Sequence, residues 1–386
     1  MRRKRIYFIT CLIFIISLIC GHTVSASEGE EKEDVTSFYT DIDYDEVQSV
    51  LGDVLSTDEN FNFSDYVSDL ISGEKSFSLT SIVNDILKAV KSEIQFHKNT
   101  LIRLISIALI AALFTNFTNV FQNNQVAETG FYVTYLLLFS ILTASFLVVT
   151  TIASDAISSL LTFMKALIPT YFLTVTFSAG ADTSMVFYES TIILITIADY
   201  ILVGFVLPTI NIYFILSLAN NLSKEDMLSK LTELLELVIQ WTLKTLFGAV
   251  IGFNAIQGLI VPVVNHVKTS LVMKAATAIP GVGNALGTAA ETVLSAGVLV
   301  KNAIGVAGLL VIIMICAIPL IKLVIYVLIY KLGVAVIQPI SDKRIMNCMN
   351  ASASAAKLLL HTVFIGMILF LFTIAVIAAS TNLRLG

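Results

Sequence analysis

Residues Ala278–Glu291 read AIPGVGNALGTAAE, and the fold class of the chain depends on how this stretch is interpreted. Its glycines, Gly281, Gly283 and Gly287, are spaced one residue too widely for the dinucleotide-binding pattern G-x-G-x-x-G, and no strand pattern precedes them. A Walker loop needs Lys and then Ser or Thr directly after its last glycine, whereas TAA follows Gly287 here. The spacing therefore argues against a phosphate-binding loop.

Small side chains surround these glycines. From Ala275 to Gly297, 15 of 23 residues are Ala, Gly, Ser or Thr. Such residues let helix backbones approach closely inside a membrane, where lipid provides no hydrophobic drive for helices to associate. Gly283 and Gly287 form a G-x-x-x-G step, and Glu291 continues the same four-residue stripe. A carboxylate on this face requires nearby water or a partner within the protein.

The proline of the stretch indicates a bend. Pro280 favours a helix that begins just beyond it, because proline is well tolerated in the first helical turn. We therefore predict a re-entrant or closely packed Gly/Ala-rich hairpin. Its arms are Val264–Ala278 and Asn284–Val300, and Pro280–Gly281 forms the turn.

The overall composition supports a membrane protein. The 386 residues are 56% hydrophobic and only 13% charged, with a mean hydropathy of +0.88. Soluble domains carry roughly 25% charged residues. A water-soluble domain of this size has no means of hiding so much apolar surface, so the composition predicts an all-α polytopic membrane protein.

The first 26 residues have the parts of a secretory signal peptide. MRRKR is a positively charged beginning, Ile6–Cys20 is a short apolar run, and Val24–Ala26 (VSA) is a small-residue cleavage site. An uncleaved signal anchor is the alternative. In either case the chain from residue 27 onward is exported.

Residues 27–100 form an acidic extracytoplasmic segment, with 17 Asp or Glu against 5 Lys or Arg. The most acidic part, residues 27–58, is poor in apolar residues, and its first part is expected to be disordered or loosely ordered. Helical order is expected towards Leu79–His97, where apolar residues recur at three- and four-residue spacing. The segment is either a solvated lead-in to the membrane or a docking surface for an extracytoplasmic partner.

Residues 101–386 read as a polytopic α-helical membrane domain of about seven or eight membrane helices. The expected elements are Ile102–Phe121, Phe131–Ile152, Ile157–Phe177, Val186–Val206, Pro208–Ala219, Trp241–Val261, Val306–Tyr330 and Leu358–Ala379. Pro208–Ala219 is too short to cross alone and is interpreted as completing a broken or re-entrant helix. Helices are required because a lipid-exposed chain must satisfy its own backbone hydrogen bonds.

Charged residues inside these elements are candidates for function, because burying a charge in a membrane is unfavourable. They are Lys165, Glu189, Asp199, Glu291 and Lys322. The alternative is that some lie at the ends of spans or form structural pairs. Together with Pro280, Gly281, Gly283 and Gly287, they are the candidate helix-packing or pathway residues. The sequence contains no H-E-x-x-H, no G-x-S-x-G and no basic stripe for nucleic acid, so no catalytic residue, cofactor or metal site is predicted.

One block carries a family resemblance. Lys244–Gly305 reads KTLFGAVIGFNAIQGLIVPVVNHVKTSLVMKAATAIPGVGNALGTAAETVLSAGVLVKNAIG, and with the signal peptide and the acidic exported segment it resembles the stage III sporulation protein AE family. Lys274–Gly305 is the most specific part. The resemblance implies an endospore-forming bacterium and a multi-pass protein of the mother-cell membrane around the forespore, with its N-terminal segment outside the cytoplasm.

The resemblance also implies partners. The family belongs to a transenvelope complex, described as a feeding channel, that is needed for late forespore gene expression. Its other components are the remaining stage III sporulation A-operon proteins and, across the intermembrane space, the forespore stage II protein Q. We therefore expect a membrane subunit of that complex without enzymatic activity. The alternative is a free-standing secondary transporter that uses intramembrane carboxylates.

Overall fold

The computed structural model describes residues 42–54, 62–72, 102, 106, 109–110, 124–222, 227–277, 283–339 and 343–382. The chain divides into two units, Met1–Asp43 and Tyr44–Gly386, and the helices described here lie in the second. They are α1 (Asp45–Val54), α2 (Phe63–Ser72), α3 (Asn124–Ala179), α4 (Ala181–Ile201), a π-helical turn (Leu202–Val206), α5 (Leu207–Asn220), α6 (Ser229–Thr277), α7 (Gly283–Ile337) and α8 (Lys343–Asn382). Over these ranges the fold is all-α, as predicted.

Five helical segments are long and apolar enough to cross a membrane. They are Thr129–Ala179, Ala181–Asn220, Ser229–Gly258, Ser295–Ile337 and Lys343–Thr381. The membrane class is therefore supported, but the described ranges contain five such segments rather than the predicted seven or eight. The predicted span Ile102–Phe121 lies largely outside the described residues, and so do the signal peptide and Leu79–His97.

The predicted division of residues 131–177 into two spans is wrong. The spans Phe131–Ile152 and Ile157–Phe177 belong to one uninterrupted helix, α3. The residues between them read ASDA and contain no glycine or proline, so the helix has no local reason to end there. The 51-residue apolar segment of α3 is about 76 Å long at 1.5 Å per residue, more than twice the hydrocarbon thickness of a bilayer.

The predicted break before Pro208–Ala219 is also wrong. A π-helical turn, Leu202–Val206, joins α4 to α5, so that Ala181–Asn220 forms one apolar segment. Proline lacks a backbone N–H, and its ring clashes with the carbonyl four residues earlier. The wider π turn directly before Pro208 provides the space for this defect while the helix continues.

Gly180 is the single residue between α3 and α4. Its φ of 90° and ψ of 155° lie in a region that is essentially restricted to glycine. The chain reverses there, and the Ser184 hydroxyl donates to the Phe172 carbonyl oxygen at 2.6 Å. The Phe172 and Tyr188 rings meet edge to face with centroids 5.9 Å apart. One glycine therefore makes a tight turn between two long helices.

The predicted bend at Pro280–Gly281 falls between the described parts of α6 and α7, in residues 278–282 that lie outside the described ranges, and it stays a prediction. α6 ends at Thr277 and α7 begins at Gly283, three residues beyond Pro280. The second predicted arm and the predicted span Val306–Tyr330 both belong to α7, which continues past Pro319 without interruption. The two predicted hairpin arms therefore belong to long helices, and the hairpin itself stays a prediction.

The core lies where α7, α8 and α3 pack together, with α8 also contacting α6 and α5. The short helices α1 and α2 pack against α3 and α7 respectively. Val47 and Leu51 of α1 are buried, and the backbone N–H of Phe63 donates to Gln48 Oε1 at 2.8 Å. This part of the acidic segment is therefore ordered as far forward as α1, because a few apolar side chains find a hydrophobic surface to cover.

Candidate functional site

The predicted hairpin residues lie at or beyond the edge of the described ranges. Pro280 and Gly281 lie outside the described residues. Gly283, Gly287 and Glu291 lie in the first turns of α7, but the surroundings of their side-chain positions lie outside the description, which resumes at Ser295. The roles predicted for these five residues stay predictions.

Gly297, the last glycine of the small-residue stretch, packs closely against the end of α3. A Cβ at Gly297 would lie 3.2 Å from Phe177 Cβ and 3.3 Å from the Phe177 carbonyl carbon. Contacts this short are tighter than most real Cβ contacts, so a larger residue at Gly297 would need Phe177 to shift by a few tenths of an ångström. Gly297 therefore lies in a close approach of α7 to the end of α3.

Close to this contact lies a buried polar seam, defined as Asn254 of α6, Lys301 of α7, and Thr373 and Thr381 of α8. All four are buried, and Lys301 is 0% exposed. The Lys301 ammonium donates to Thr381 Oγ1 at 2.7 Å, and the Asn254 amide donates to Thr373 Oγ1 at 3.1 Å. The seam ties α6 and α7 to the second half of α8.

The two threonines can accept these bonds because their own hydrogens are used elsewhere. Thr373 Oγ1 donates to the Leu369 carbonyl at 2.9 Å, and Thr381 Oγ1 donates to the Ile377 carbonyl at 2.7 Å. Each hydroxyl therefore keeps its lone pairs for the incoming N–H. Buried polar groups are costly when they are unsatisfied, so this arrangement makes the seam compatible with an apolar core.

Lys301 was not predicted as a site residue. It lies one residue beyond the predicted hairpin arm and five before the predicted span Val306–Tyr330, so it belonged to no predicted membrane element. Its flanking sequence, VLVKNAIGVAG, is apolar on both sides, and it lies four residues after Gly297. This four-residue spacing places Lys301 on the small-residue face of the helix, and it is the sequence feature that could have identified Lys301 as a site residue.

The structure brings two of the predicted membrane charges together. Lys165 of α3 and Asp199 of α4 form an ion pair with Nζ to Oδ2 at 2.9 Å. Their side chains are 56% and 38% exposed, so the pair lies on the outside of the helix bundle. Glu189 is exposed on α4 and Lys322 is half-buried on α7. None of these four charges lines either of the two cavities described below, and the structural-pair alternative applies to Lys165 and Asp199.

A second polar feature, the open cleft, lies between α6 and α8 with a volume of about 280 Å³. Its polar lining is Glu236, Gln240 and Lys244 of α6 with Ser354, Lys357 and His361 of α8. The apolar part of the lining is Leu243, Leu358 and Ile365. The polar residues of α6 recur every four residues, so they share one helix face. This stripe was visible in the sequence, but the facing stripe of α8 was not paired with it.

The glutamate of the cleft is held by its neighbours. The Gln240 amide donates to Glu236 Oε1 at 3.0 Å, and the Tyr213 hydroxyl of α5 contacts Glu236 Oε2 at 3.4 Å. Lys244 and Lys357 are both exposed, and neither makes an ion pair with any residue in the described ranges. The cleft therefore carries one engaged carboxylate and two lysines without a counter-charge.

An apolar groove of about 600 Å³ lies on another side of α6, between it and α4. Its lining includes Ile193, Ile197 and Phe253, and it has no ionisable side chain. Trp241 at its edge is 67% exposed. Large exposed apolar side chains are common on this fold, as expected where helices face lipid or another protein.

The residues that build both polar features fall within one family match. The model of the family described as Stage III sporulation protein AE matches residues 61–381. The chain belongs to this family. It is similar to the stage III sporulation protein AE of Bacillus subtilis (strain 168), with 26% identity over 284 residues that cover 73% of this chain and 71% of the relative. No solved structure matches the chain.

Family membership confirms the resemblance carried by Lys244–Gly305 and shows that the chain is a sporulation protein. The match begins just before α2 and ends at Thr381, the threonine that accepts the bond from Lys301. It therefore spans α2 to α8, including the polar seam and the open cleft, while α1 lies outside it.

Proposed function

We propose that this protein is a membrane subunit of the mother-cell to forespore transenvelope complex, the feeding channel needed for endospore formation and late forespore gene expression. The observation that carries the proposal is the family match over residues 61–381. The five apolar helical segments support a multi-pass location, for which we propose the mother-cell membrane around the forespore. The proposed partners are the other stage III sporulation A-operon proteins and, through the exported segment, the forespore stage II protein Q.

The role is structural or conductive, not enzymatic. Helices joined by a close glycine contact and a buried seam suit a rigid subunit that holds its place in a larger assembly. The alternative, a free-standing secondary transporter, drew on a broken helix at Pro208–Ala219, and that helix is continuous in the structure. The remaining support for the alternative is the set of charges within the apolar helices.

The genetic test is an in-frame deletion in the native spore former, complemented with the wild-type chain or with variants. We expect the deletion to abolish heat-resistant spores and to lower a late forespore transcriptional reporter, while engulfment proceeds. Normal spore yield and undiminished reporter activity in the deletion strain would rule out the proposed role.

The biochemical test is affinity purification of the tagged chain from sporulating cells at the engulfment stage. Recovery of the A-operon proteins and the stage II protein Q is the expected result, and their absence after crosslinking would contradict the proposal. Proteoliposomes with the purified chain alone address the alternative. Solute uptake that is lost in Glu291→Ala would favour a transporter.

A further inference from the structure

The open cleft between α6 and α8 has the charge of an anion-binding site. Lys244 and Lys357 stand on its two walls, and neither has an acidic partner in the part of the chain that the structure describes. Two like charges that line one cleft repel each other, modestly here because both side chains are exposed. An anion between the two walls would remove this unfavourable term.

The glutamate of the cleft does not supply that anion. Glu236 accepts the amide of Gln240 and lies within reach of the Tyr213 hydroxyl, so its carboxylate is held against α5 and α6. Glu236 and Lys244 are eight residues apart on one helix, which separates their backbones by about 12 Å along the axis. The carboxylate is therefore too far along α6 to neutralise Lys244 directly.

The size and lining of the cleft favour a phosphate group attached to a larger molecule. A volume of about 280 Å³ is far more than the roughly 10–15 Å³ that a single water molecule needs. Lysine binds phosphate as a point charge, and Ser354, Gln240 and His361 add hydrogen-bonding groups. The apolar residues Leu243, Leu358 and Ile365 suit the less polar part of the same ligand.

We propose that the open cleft binds a phosphate group through Lys244 and Lys357. Two sources share this chemistry: the headgroup of an anionic phospholipid and a soluble phosphate compound. The proposal does not depend on the function of the complex, because it concerns ligand binding by the isolated chain.

The test uses the full-length chain purified into nanodiscs of phosphatidylcholine. The thermal unfolding midpoint is measured with added inorganic phosphate and, separately, in nanodiscs that also contain phosphatidylglycerol. Lipids retained on the protein are counted by native mass spectrometry. A higher midpoint with phosphatidylglycerol alone identifies a lipid site, and a higher midpoint with inorganic phosphate identifies a soluble ligand. Either result supports the proposal, and no response to either probe overturns it.

Charge-neutralising variants assign the effect to the cleft. Lys244→Gln and Lys357→Gln are each expected to weaken binding of the responding probe about tenfold, as for the loss of one hydrogen bond to a charged group. The matched control is Lys230→Gln, because Lys230 lies on the same helix, is exposed and pairs with Glu233 at 2.9 Å. Equal binding by the control and by the double variant of Lys244 and Lys357 would overturn the proposal.

A substitution of Glu236 tests whether the cleft binds an anion or a cation. Glu236→Gln removes a negative charge from the cleft, so it is expected to leave anion binding unchanged or to strengthen it. Loss of binding in Glu236→Gln, together with stronger binding in the lysine variants, would show that the cleft holds a cation and would contradict the proposal.

Discussion

The polar seam and the open cleft share helices α6 and α8 but differ in how their polar groups are satisfied. In the seam, Lys301 and Asn254 each donate to a threonine hydroxyl, and every member is buried. In the cleft, Lys244 and Lys357 are exposed and have no ion-pair partner in the described ranges. Whether a lysine stabilises the fold or is available to a ligand therefore depends on the groups that the neighbouring helix brings to it, not on the residue type.

The largest effect is expected at Gly297, where α7 approaches the backbone of α3 closely. Gly297→Leu places a branched side chain against Phe177, where even a Cβ would lie 3.2 Å from a neighbouring atom. Overpacking of this kind is expected to destabilise the fold by about 3 kcal/mol. The measurement is the apparent unfolding midpoint by size-exclusion chromatography of heated, detergent-solubilised protein.

The matched control for that substitution is Gly252→Leu, because a Cβ at Gly252 of α6 meets nothing within 4 Å. We expect Gly252→Leu to fold normally and to support sporulation, and Gly297→Leu to fail in both assays. Similar midpoints for the two variants would refute the close-packing account of the small-residue stretch.

The next effect tests the hydrogen bonding of the seam. Thr381→Val keeps the side-chain shape but removes the acceptor of the Lys301 ammonium, and a loss of about 1–3 kcal/mol is expected. Adding Lys301→Met should restore much of the stability, because the double variant no longer buries the lysine beside an apolar side chain. If Thr381→Val and the double variant are equally unstable, the bond does not account for the effect.

A smaller effect is expected at the exposed ion pair. Lys165 and Asp199 are both more than one-third exposed, so a double-mutant cycle with Lys165→Met and Asp199→Leu should give a coupling of at most about 1 kcal/mol. Thermal unfolding of the four proteins in the same nanodiscs measures this coupling. A coupling of several kcal/mol would mean that the pair is buried in the assembled protein.

The smallest effect on stability is expected in the cleft. Lys244→Gln and Lys357→Gln should each change the stability of the ligand-free chain by less than about 0.5 kcal/mol, because exposed substitutions rarely do more. The check is the unfolding midpoint in phosphatidylcholine nanodiscs without added phosphate. A large loss of stability in either variant would mean that these lysines stabilise the fold as Lys301 does, and it would contradict the proposed difference between the cleft and the seam.

Several features were predictable because they depend on local sequence. The all-α class and the helical state of Val306–Tyr330 and Leu358–Ala379 follow from composition and hydropathy. The continuity of the helix through residues 153–156 and up to Pro208 was not predicted. Span counting assumes segments of about 20 residues, and the helices of this chain are up to 56 residues long.

The site residues were likewise predictable only in part from the sequence. Lys165 and Asp199 were recognised as membrane charges, but only the packing of α3 against α4 shows that they neutralise each other. Lys301 was missed because its surroundings come from Thr381, 80 residues later in the chain. The cleft was missed because it combines a stripe of α6 with a stripe of α8, and neither stripe forms a site by itself.

The sequence by itself determined the membrane class and the family. These properties depend on composition and on a long recognisable block. Only the tertiary structure decided which charges are paired, which are buried and which remain open. The physical reason is that the environment of a charged side chain depends on the groups that distant helices bring to it, and hydropathy along one helix does not contain that information.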